Sequence, residues 1–493
     1  MLLPSITVDT FPALANLATT PLSEKDIEAI LNLGIAGDII LYLPSLSEPI
    51  LKNIKPLIFA TRLRVGPFTA KDIDLAVQWL DAGVIATIFD LEIPNPNDPS
   101  SSSNNDTVGT LVEAISSLPA GRVMVRFTGP YGLLDGKMKS SAPSGILATI
   151  SAIKSLINAV IIPIQTIPVP TSSETNIVSS STPIATINSS HDISSETIRA
   201  INTSAGHHVS VLFENTDKTM VPTDIGRYHR HNIHVISSGN VAMNNEEIEL
   251  GAAEGKLDIG TCISLCARSD RADGLFTTVV SDENGITLGL VYSSVESIIE
   301  AVRTKRGIYY SRSRNGLWRK GDTSGAYQSL KHIHLDCDSD ALLFTVHQHG
   351  NIPAFCHLNT RTCWGEDKGL PKLERTLSAR LIDAPPGSYT KRLFDDPKLL
   401  HDKLMEEAAE LSEAQTPDHI AAEAADLIYF ALVKCAKSNV TLADIEKHLD
   451  HRTLKVRRRA GDSKPYRIAA AQAYLEAMGK NKSTNGGNAE EGK

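Results

Sequence analysis

Residues 336–343 read DCDSDALL, which sets Asp336, Asp338 and Asp340 at alternate positions with Cys337 between the first two. Three carboxylates this close raise one another's pKa unless water screens them or a cation sits among them. Oxygen donors of this kind suit a hard cation such as Mg2+. Two more thiols follow in AFCHLNTRTCWG (354–365), so Cys337, Cys356 and Cys363 form a set of three soft donors. Three thiolates suit zinc and leave a fourth position to water, which is the coordination of a catalytic zinc. Water bound there is acidified toward neutral pH. The C-x6-C spacing alone also fits a buried thiol beside a solvated acidic turn. A calcium-binding EF-hand is excluded, because Ala341 stands where that loop needs glycine and His347 where it needs a bidentate glutamate. The H-x-E and P-C-x-x-C signature of zinc deaminases is absent as well.

Just upstream, YYSRSRNGLWRKGDTSG (309–325) sets Arg312, Arg314, Arg319 and Lys320 among serines and glycines. Arginine forks bind phosphate oxygens, and Gly/Ser backbone N–H groups can approach them closely. Trp318 is either a stacking surface for a purine or a core residue. In this order and spacing, YYSRSR, LWRKGDTSG, DCDSDALL and FCH…TCW resemble phosphoribosyl-AMP cyclohydrolase over about 120 residues. The resemblance implies attack of water at C6 of the adenine ring and opening of the N1–C6 bond. It implies zinc on Cys337, Cys356 and Cys363, with Cys337 reaching across a dimer interface, and magnesium on Asp336, Asp338 and Asp340. His357 becomes the candidate for proton transfer, with a supporting role behind the zinc ligand as the alternative. Substrate contacts fall to Ser311, Arg312, Arg314, Trp318, Lys320, Gly321, Ser324 and Gly325. Trp364 stands where the family usually has phenylalanine and Asn359 near where bacterial members have glycine; neither change removes a ligand.

A second constellation lies in HDKLMEEAAELSEAQ (401–415) and DHIAAEAADLIYFALVKCAK (418–437). Glu406, Glu407 and Glu410 share one helical face, and Glu423 and Asp426 are spaced i, i+3 on the next helix. A solvated acidic face is the ordinary reading of either helix alone. The second pair, however, sits in an apolar run where burial would demand pairing or a metal. E-E-x-x-E, then twelve residues, then E-x-x-D resembles the all-α nucleoside triphosphate pyrophosphohydrolases. With APPGSYTKRLF (384–394) ahead of it, the stretch resembles the phosphoribosyl-ATP branch of that group. This implies magnesium on the carboxylates, Glu407 in catalysis, and Ser388, Tyr389, Thr390 and Lys391 near substrate phosphates. The two resemblances are consecutive steps of one pathway, so each supports the other.

The elements that must position these residues divide the chain of 493 residues into roughly three domains. The expected layout is multidomain: an N-terminal α/β domain (1–245), a β-rich α+β cyclohydrolase domain (250–368), an all-α pyrophosphohydrolase domain (372–462) and a polar tail (463–493). In the first domain GDIILYLPSL (37–46), KPLIFATRLRV (55–65) and VIATIFDLE read as strands of a parallel sheet, and KDIDLAVQWLDAG (71–83) as a helix closed by Gly83. A loose resemblance to the extra domain of fungal histidine-biosynthesis fusion proteins suggests a βα-barrel-like remnant there. Two Ser/Pro/Asn-rich stretches, 94–107 and 168–183, read as loops. His229, His231 and His234 in RYHRHNIHV read as a polar surface segment rather than as ligands. Glu283–Asn284–Gly285 marks a hairpin turn, VESIIEAVRTKRG a helix stopped at Gly307, and VTLADIEKHL a short helix. KVRRRAGDSKPYR (455–467) is either an anion-binding stretch or a solvated helix end.

A net charge of −9 argues against general nucleic-acid binding, and no apolar run is long enough to span a bilayer. Six cysteines in this length are no disulfide framework, and the N-terminus has no basic leader, so the expected compartment is the cytoplasm. The whole resembles fungal fusion proteins that pair the two hydrolases. The polar C-terminal tail carries the expectation of no histidinol dehydrogenase activity, and the shared zinc the expectation of a homodimer. The partners expected are small nucleotides only. Two other readings stay open: a general nucleoside triphosphate pyrophosphatase with a structural zinc, and a catalytically silent scaffold.

Overall fold

The computed structural model describes residues 2–7, 10–93, 104–129, 134–135, 144–165, 193–215, 220–238, 241–242, 257–350, 353–457 and 473. Most of the loop at 94–107, all of that at 168–183, the stretch from Arg458 onward except residue 473, and with it the polar tail, lie outside these residues.

The N-terminal part is a closed (β/α)8 barrel. Its parallel strands are Leu2–Ile6, Ile39–Tyr42, Leu63–Phe68, Ala86–Glu92, Val123–Thr128, Ala159–Gln165, Ser210–Asn215 and Ile233–Ser238. Each pairs with the next in chain order, and the pairing of Leu3 with Ile236 closes the ring. Such strands are covered on both faces and therefore read as continuous apolar runs; all four residues of Ile39–Tyr42 are buried. Leu3, Ile40, Ile88, Met124, Ile161, Leu212 and Ile236 belong to a core cluster separate from the larger one, as a filled barrel interior requires. Toward the carboxyl ends of the strands, Arg126 makes two 2.7 Å bonds to Asp90 and lies 4.5 Å over the ring of Tyr42.

One strand expectation fails. Residues 48–60 form a helix, and the strand begins only at Leu63. Ser47 and an early proline start the helix, and Ile50, Ile54, Leu57 and Ile58 supply one buried face, so burial outweighs the cost of Pro56 inside it. The helix Ile73–Ala82 does end at Gly83, whose φ of +111° is left-handed.

The region after the barrel carries a six-stranded sheet in the spatial order Gly316–Arg319, Ile308–Ser311, Thr287–Ser293, Phe276–Asp282, Ala341–Gln348, Gln328–Leu335. The hairpin at 283–285 is present, and Asp282 shapes it by accepting the N–H groups of Asn284 and Ile286 at 3.1 and 2.9 Å. The following helix, Val295–Thr304, ends on left-handed Lys305 rather than at Gly307.

Barrel and sheet fall in one compact unit, Met1–Gly365 with His451–Arg457. The helix after the eighth strand, Ile259–Cys266, explains why: Ile259, Cys262, Ile263 and Cys266 share a continuous core with Phe276, Val280 and Leu288. The helix Pro222–His229 packs closely on it, since a Cβ on Gly226 would lie 2.7 Å from the Leu265 carbonyl.

The second unit, Glu366–Asp450 among the described residues, is all-α. Helices Leu370–Ile382, Tyr389–Asp395, Pro397–Glu413 and Pro417–Lys437 pack around Leu377, Leu393, Leu400, Phe430 and Val433. No helix among the described residues is long and apolar enough to cross a membrane.

Candidate active sites

Asp336–Asp340 link the two edge-side strands of the sheet, and one carboxylate oxygen from each of Asp336, Asp338 and Asp340 lies within 4.8 Å of the others. The Asp338 charge, then partial burial and Asp336, push the Asp340 carboxyl up. Burial raises Asp336 too, but the Ala341 N–H and its neighbours' hydrogen bonds outweigh this and hold it below the usual range. Like charges gathered this way fit a divalent cation.

Cys356 and Cys363 lie on a cleft of about 870 Å3 that is also lined by Ser311, Arg314, Trp318, Lys320, Gly321, Ser324, Gly325 and His357. Hydrogen bonding, first from the Leu358 N–H, lowers the Cys356 thiol, whereas burial and then Cys356 itself raise Cys363. A coupled thiol pair of this kind fits a soft metal. The loop bearing it is pinned by Arg361, which donates to the Pro353 carbonyl at 3.0 Å and to Asp282 at 2.7 Å in a buried ion pair. His357 is exposed, with Nδ1 3.8 Å from Cys356 Sγ.

Two expected residues, Cys337 and Arg312, stand apart from this cleft. Cys337 lies on a different cleft, one that runs between the aspartate loop and the barrel, so the three thiols do not converge within one chain. Arg312 is not on the cleft wall and lies 4.1 Å over the ring of Tyr292. Lys320 is on the wall, but its ammonium is buried and donates to the carbonyls of Ala326 and Ala354 at 3.1 and 3.2 Å. Trp318 is half-buried against Tyr309 and Phe355.

In the helical unit, Glu407, Glu410 and Glu423 bring carboxylate oxygens within 4.8 Å of one another; Glu406 and Asp426 are not in that group. The carboxylate of Glu407 is buried, and Lys403 reaches it at 2.6 Å and Glu406 at 3.0 Å. Burial lowers the Lys403 ammonium, but the two glutamates more than reverse this. Lys403, absent from the sequence reading, thus puts one positive charge where the carboxylates gather. Its spacing from Glu407, i, i+4, is the signal that was available.

The run AAEAADLIYFAL is buried only toward its end, at Phe430 and Leu432: Asp426, Ala421, Ala422, Ala425 and Ile428 are exposed and Glu423 is half-buried. Thr390 is buried and spends its hydroxyl on Arg380 and Tyr429, at 3.1 and 3.0 Å. Tyr389 is half-exposed beside Phe430, Lys391 pairs with Asp395 at 3.6 Å, and Ser388 caps the helix start without a side-chain bond.

Of the three histidines read as a surface segment, only His231 is exposed. His229 ends its helix half-buried, with Nε2 2.8 Å from Ser339 Oγ, and His234 is the half-buried second residue of the eighth barrel strand.

A sheet carrying paired thiols and an aspartate loop, followed by a helical unit with a glutamate cluster, makes a chain with two candidate metal-binding domains. Residues 289–365 match the phosphoribosyl-AMP cyclohydrolase family and residues 370–453 the phosphoribosyl-ATP pyrophosphohydrolase family. The "Histidine biosynthesis bifunctional protein HisIE" of Gloeobacter violaceus is 38% identical over 200 residues, which is 38% of this chain and 90% of that protein. The chain therefore belongs to the histidine-biosynthesis bifunctional protein family. The "Histidine biosynthesis trifunctional protein" of Neurospora crassa is 59% identical over 43% of this chain and 24% of its own length. For the "Histidine biosynthesis bifunctional protein his7" of Schizosaccharomyces pombe the figures are 54%, 42% and 49%. The chain thus spans about a quarter to a half of these fungal relatives.

Proposed function

We propose that the helical unit hydrolyses phosphoribosyl-ATP to phosphoribosyl-AMP and pyrophosphate, and that the sheet domain then opens the adenine ring of phosphoribosyl-AMP. What supports the reading is one arrangement above all: Cys356, Cys363 and His357 share a single cleft with the phosphate-type groups Ser311, Arg314, Gly321 and Ser324.

Cys356 and Cys363 would hold zinc together with Cys337 from a second copy of the chain, because Cys337 of the same chain faces elsewhere. Trp364 and Leu358, 67% and 71% exposed beside the thiols, offer apolar surface for that copy to cover. Asp336, Asp338 and Asp340 would hold magnesium, as would Glu407, Glu410 and Glu423, with Glu406 and Asp426 further out. When bound, zinc supplies acidified water and magnesium neutralises phosphate charge.

For ring opening, Arg314 and Ser311 anchor the substrate phosphate while Trp318 flanks the base. Water adds at C6, the N1–C6 bond breaks, and His357 moves a proton toward N1. In the helical unit Glu407 accepts the proton of the water that attacks the α–β anhydride, and pyrophosphate leaves. The proposed setting is a cytoplasmic homodimer.

Substrate competition tests this reading. Purified protein should release pyrophosphate from phosphoribosyl-ATP in preference to ATP by at least tenfold in kcat/KM. Equal use of ordinary nucleoside triphosphates, with no ring-opened product, would favour the general pyrophosphatase instead.

A further inference from the structure

We propose that His229 of the barrel is a positioning residue for ring opening: it fixes the aspartate loop in the shape that receives a divalent cation. The inference rests on the reading of Asp336, Asp338 and Asp340 as cation ligands.

The loop 336–340 is exposed at Asp336, Cys337 and Asp338, and only Ser339, at its apex, is buried, at 5% exposure. Ser339 has a φ of +69°, a left-handed conformation that a residue with a Cβ holds only when its surroundings enforce it. Two bonds do so. The Ser339 carbonyl accepts the Arg268 N–H at 2.7 Å, and its hydroxyl lies 2.8 Å from His229 Nε2. Arg268 belongs to the connection into the cyclohydrolase sheet; His229 is the last residue of a barrel helix.

That helix has little freedom to withdraw. Gly226, one turn before His229, lets it approach the helix Ile259–Cys266 so closely that an added methyl group would meet the Leu265 carbonyl at 2.7 Å. His229 is therefore presented from a packed element, not from a loop. Asp338 and Asp340 flank the serine that it holds, and their charges repel. Without the His229 bond the apex keeps the Arg268 N–H on the Ser339 carbonyl but loses its side-chain anchor, and the cation must do more of the ordering itself. The barrel thereby acquires a role in the chemistry of its neighbour.

The test uses the full-length protein and follows Mg2+ binding by isothermal titration calorimetry together with ring opening of phosphoribosyl-AMP against Mg2+ concentration, at saturating zinc. His229→Ala and Ser339→Ala should each raise the half-saturating Mg2+ about 10- to 100-fold, as loss of a partner behind metal ligands typically does. Rates at saturating Mg2+ should return to within about threefold of wild type. His229→Gln, whose amide nitrogen can occupy the place of Nε2, should recover most of the Mg2+ response, and the double alanine variant should be no worse than either single one. An unchanged Mg2+ response in both alanine variants overturns the proposal, as does equal damage from alanine and glutamine. Asp338→Asn separates the two levels: if it leaves the Mg2+ response unaltered, the ligand reading itself falls. If it shifts the response while His229→Ala and Ser339→Ala do not, only the role of His229 falls.

Discussion

Replacing Arg361 by leucine gives a direct measure of what holds the thiol loop. Its guanidinium is 9% exposed and the Asp282 carboxylate 3%, with 2.7 Å between them. Asp282 also accepts the Asn284 and Ile286 N–H groups, and these two bonds cannot replace a full positive charge. Removing one member of a buried ion pair while its partner stays ionised costs about 3–5 kcal/mol. At about 2–4 °C per kcal/mol, the expected loss in melting temperature is on the order of 10 °C. Because Arg361 stands two residues before Cys363 and binds the Pro353 carbonyl, the loss should fall on the loop first, so bound zinc should drop below wild type before global unfolding. Asp282→Asn combined with Arg361→Leu removes both charges and should be less destabilised than the sum of the single variants, by about 1–3 kcal/mol. Differential scanning calorimetry with zinc analysis on the three variants decides the matter. An Arg361→Leu protein that melts within about 1 kcal/mol of wild type and keeps its zinc would refute the reasoning.

Three further outcomes follow from the same structure. Gly226→Ala forces a methyl group against the Leu265 carbonyl and should destabilise the barrel unit by about 1–3 kcal/mol, read by urea unfolding. Lys403→Met leaves the buried Glu407 carboxylate without its ammonium; since Lys403 is itself partly exposed, the expected loss is about 3 kcal/mol at most, and millimolar Mg2+ should restore most of it. His234 is pushed down to about 3 by burial, then by the positive chain terminus, His229 and Arg64. The unfolded ring, at about 6.5, takes up a proton that the folded one refuses, so stability should be full above that pH and fall as pH drops from about 6.5 toward 3. His234→Asn should flatten that acid limb in pH-dependent unfolding, and an unchanged slope would contradict it.

The local grouping of the carboxylates was more legible than the scaffold, for physical reasons. Thiols and carboxylates at short fixed spacings are local patterns, and the loop and helices that carry them bring Asp336, Asp338 and Asp340 together, and likewise Glu407, Glu410 and Glu423. Barrel closure depends on strands 2–6 and 233–238, which no local pattern connects. Residues 55–60 read as a strand because LIFA is apolar and follows a proline; the helical face emerges only when Ile50 and Ile54 are counted with Leu57 and Ile58. The apolar half of the helix Pro417–Lys437 suggested burial, yet Ile420 and Ile428 are 41% and 42% exposed in a single chain. Neither Arg361 nor His229 could be tied to its partner from the sequence, since Asp282 and Ser339 are 79 and 110 residues away.

The most direct test of two consecutive hydrolases on one chain is product analysis from phosphoribosyl-ATP with Mg2+ and zinc, comparing wild type with Cys356→Ser and Glu407→Gln. Wild type should yield both pyrophosphate and the ring-opened nucleotide. Cys356→Ser should stop at phosphoribosyl-AMP, and Glu407→Gln should open the ring of supplied phosphoribosyl-AMP but release no pyrophosphate. Ring opening by Cys356→Ser at the wild-type rate, or pyrophosphate release by Glu407→Gln at the wild-type rate, would contradict the account.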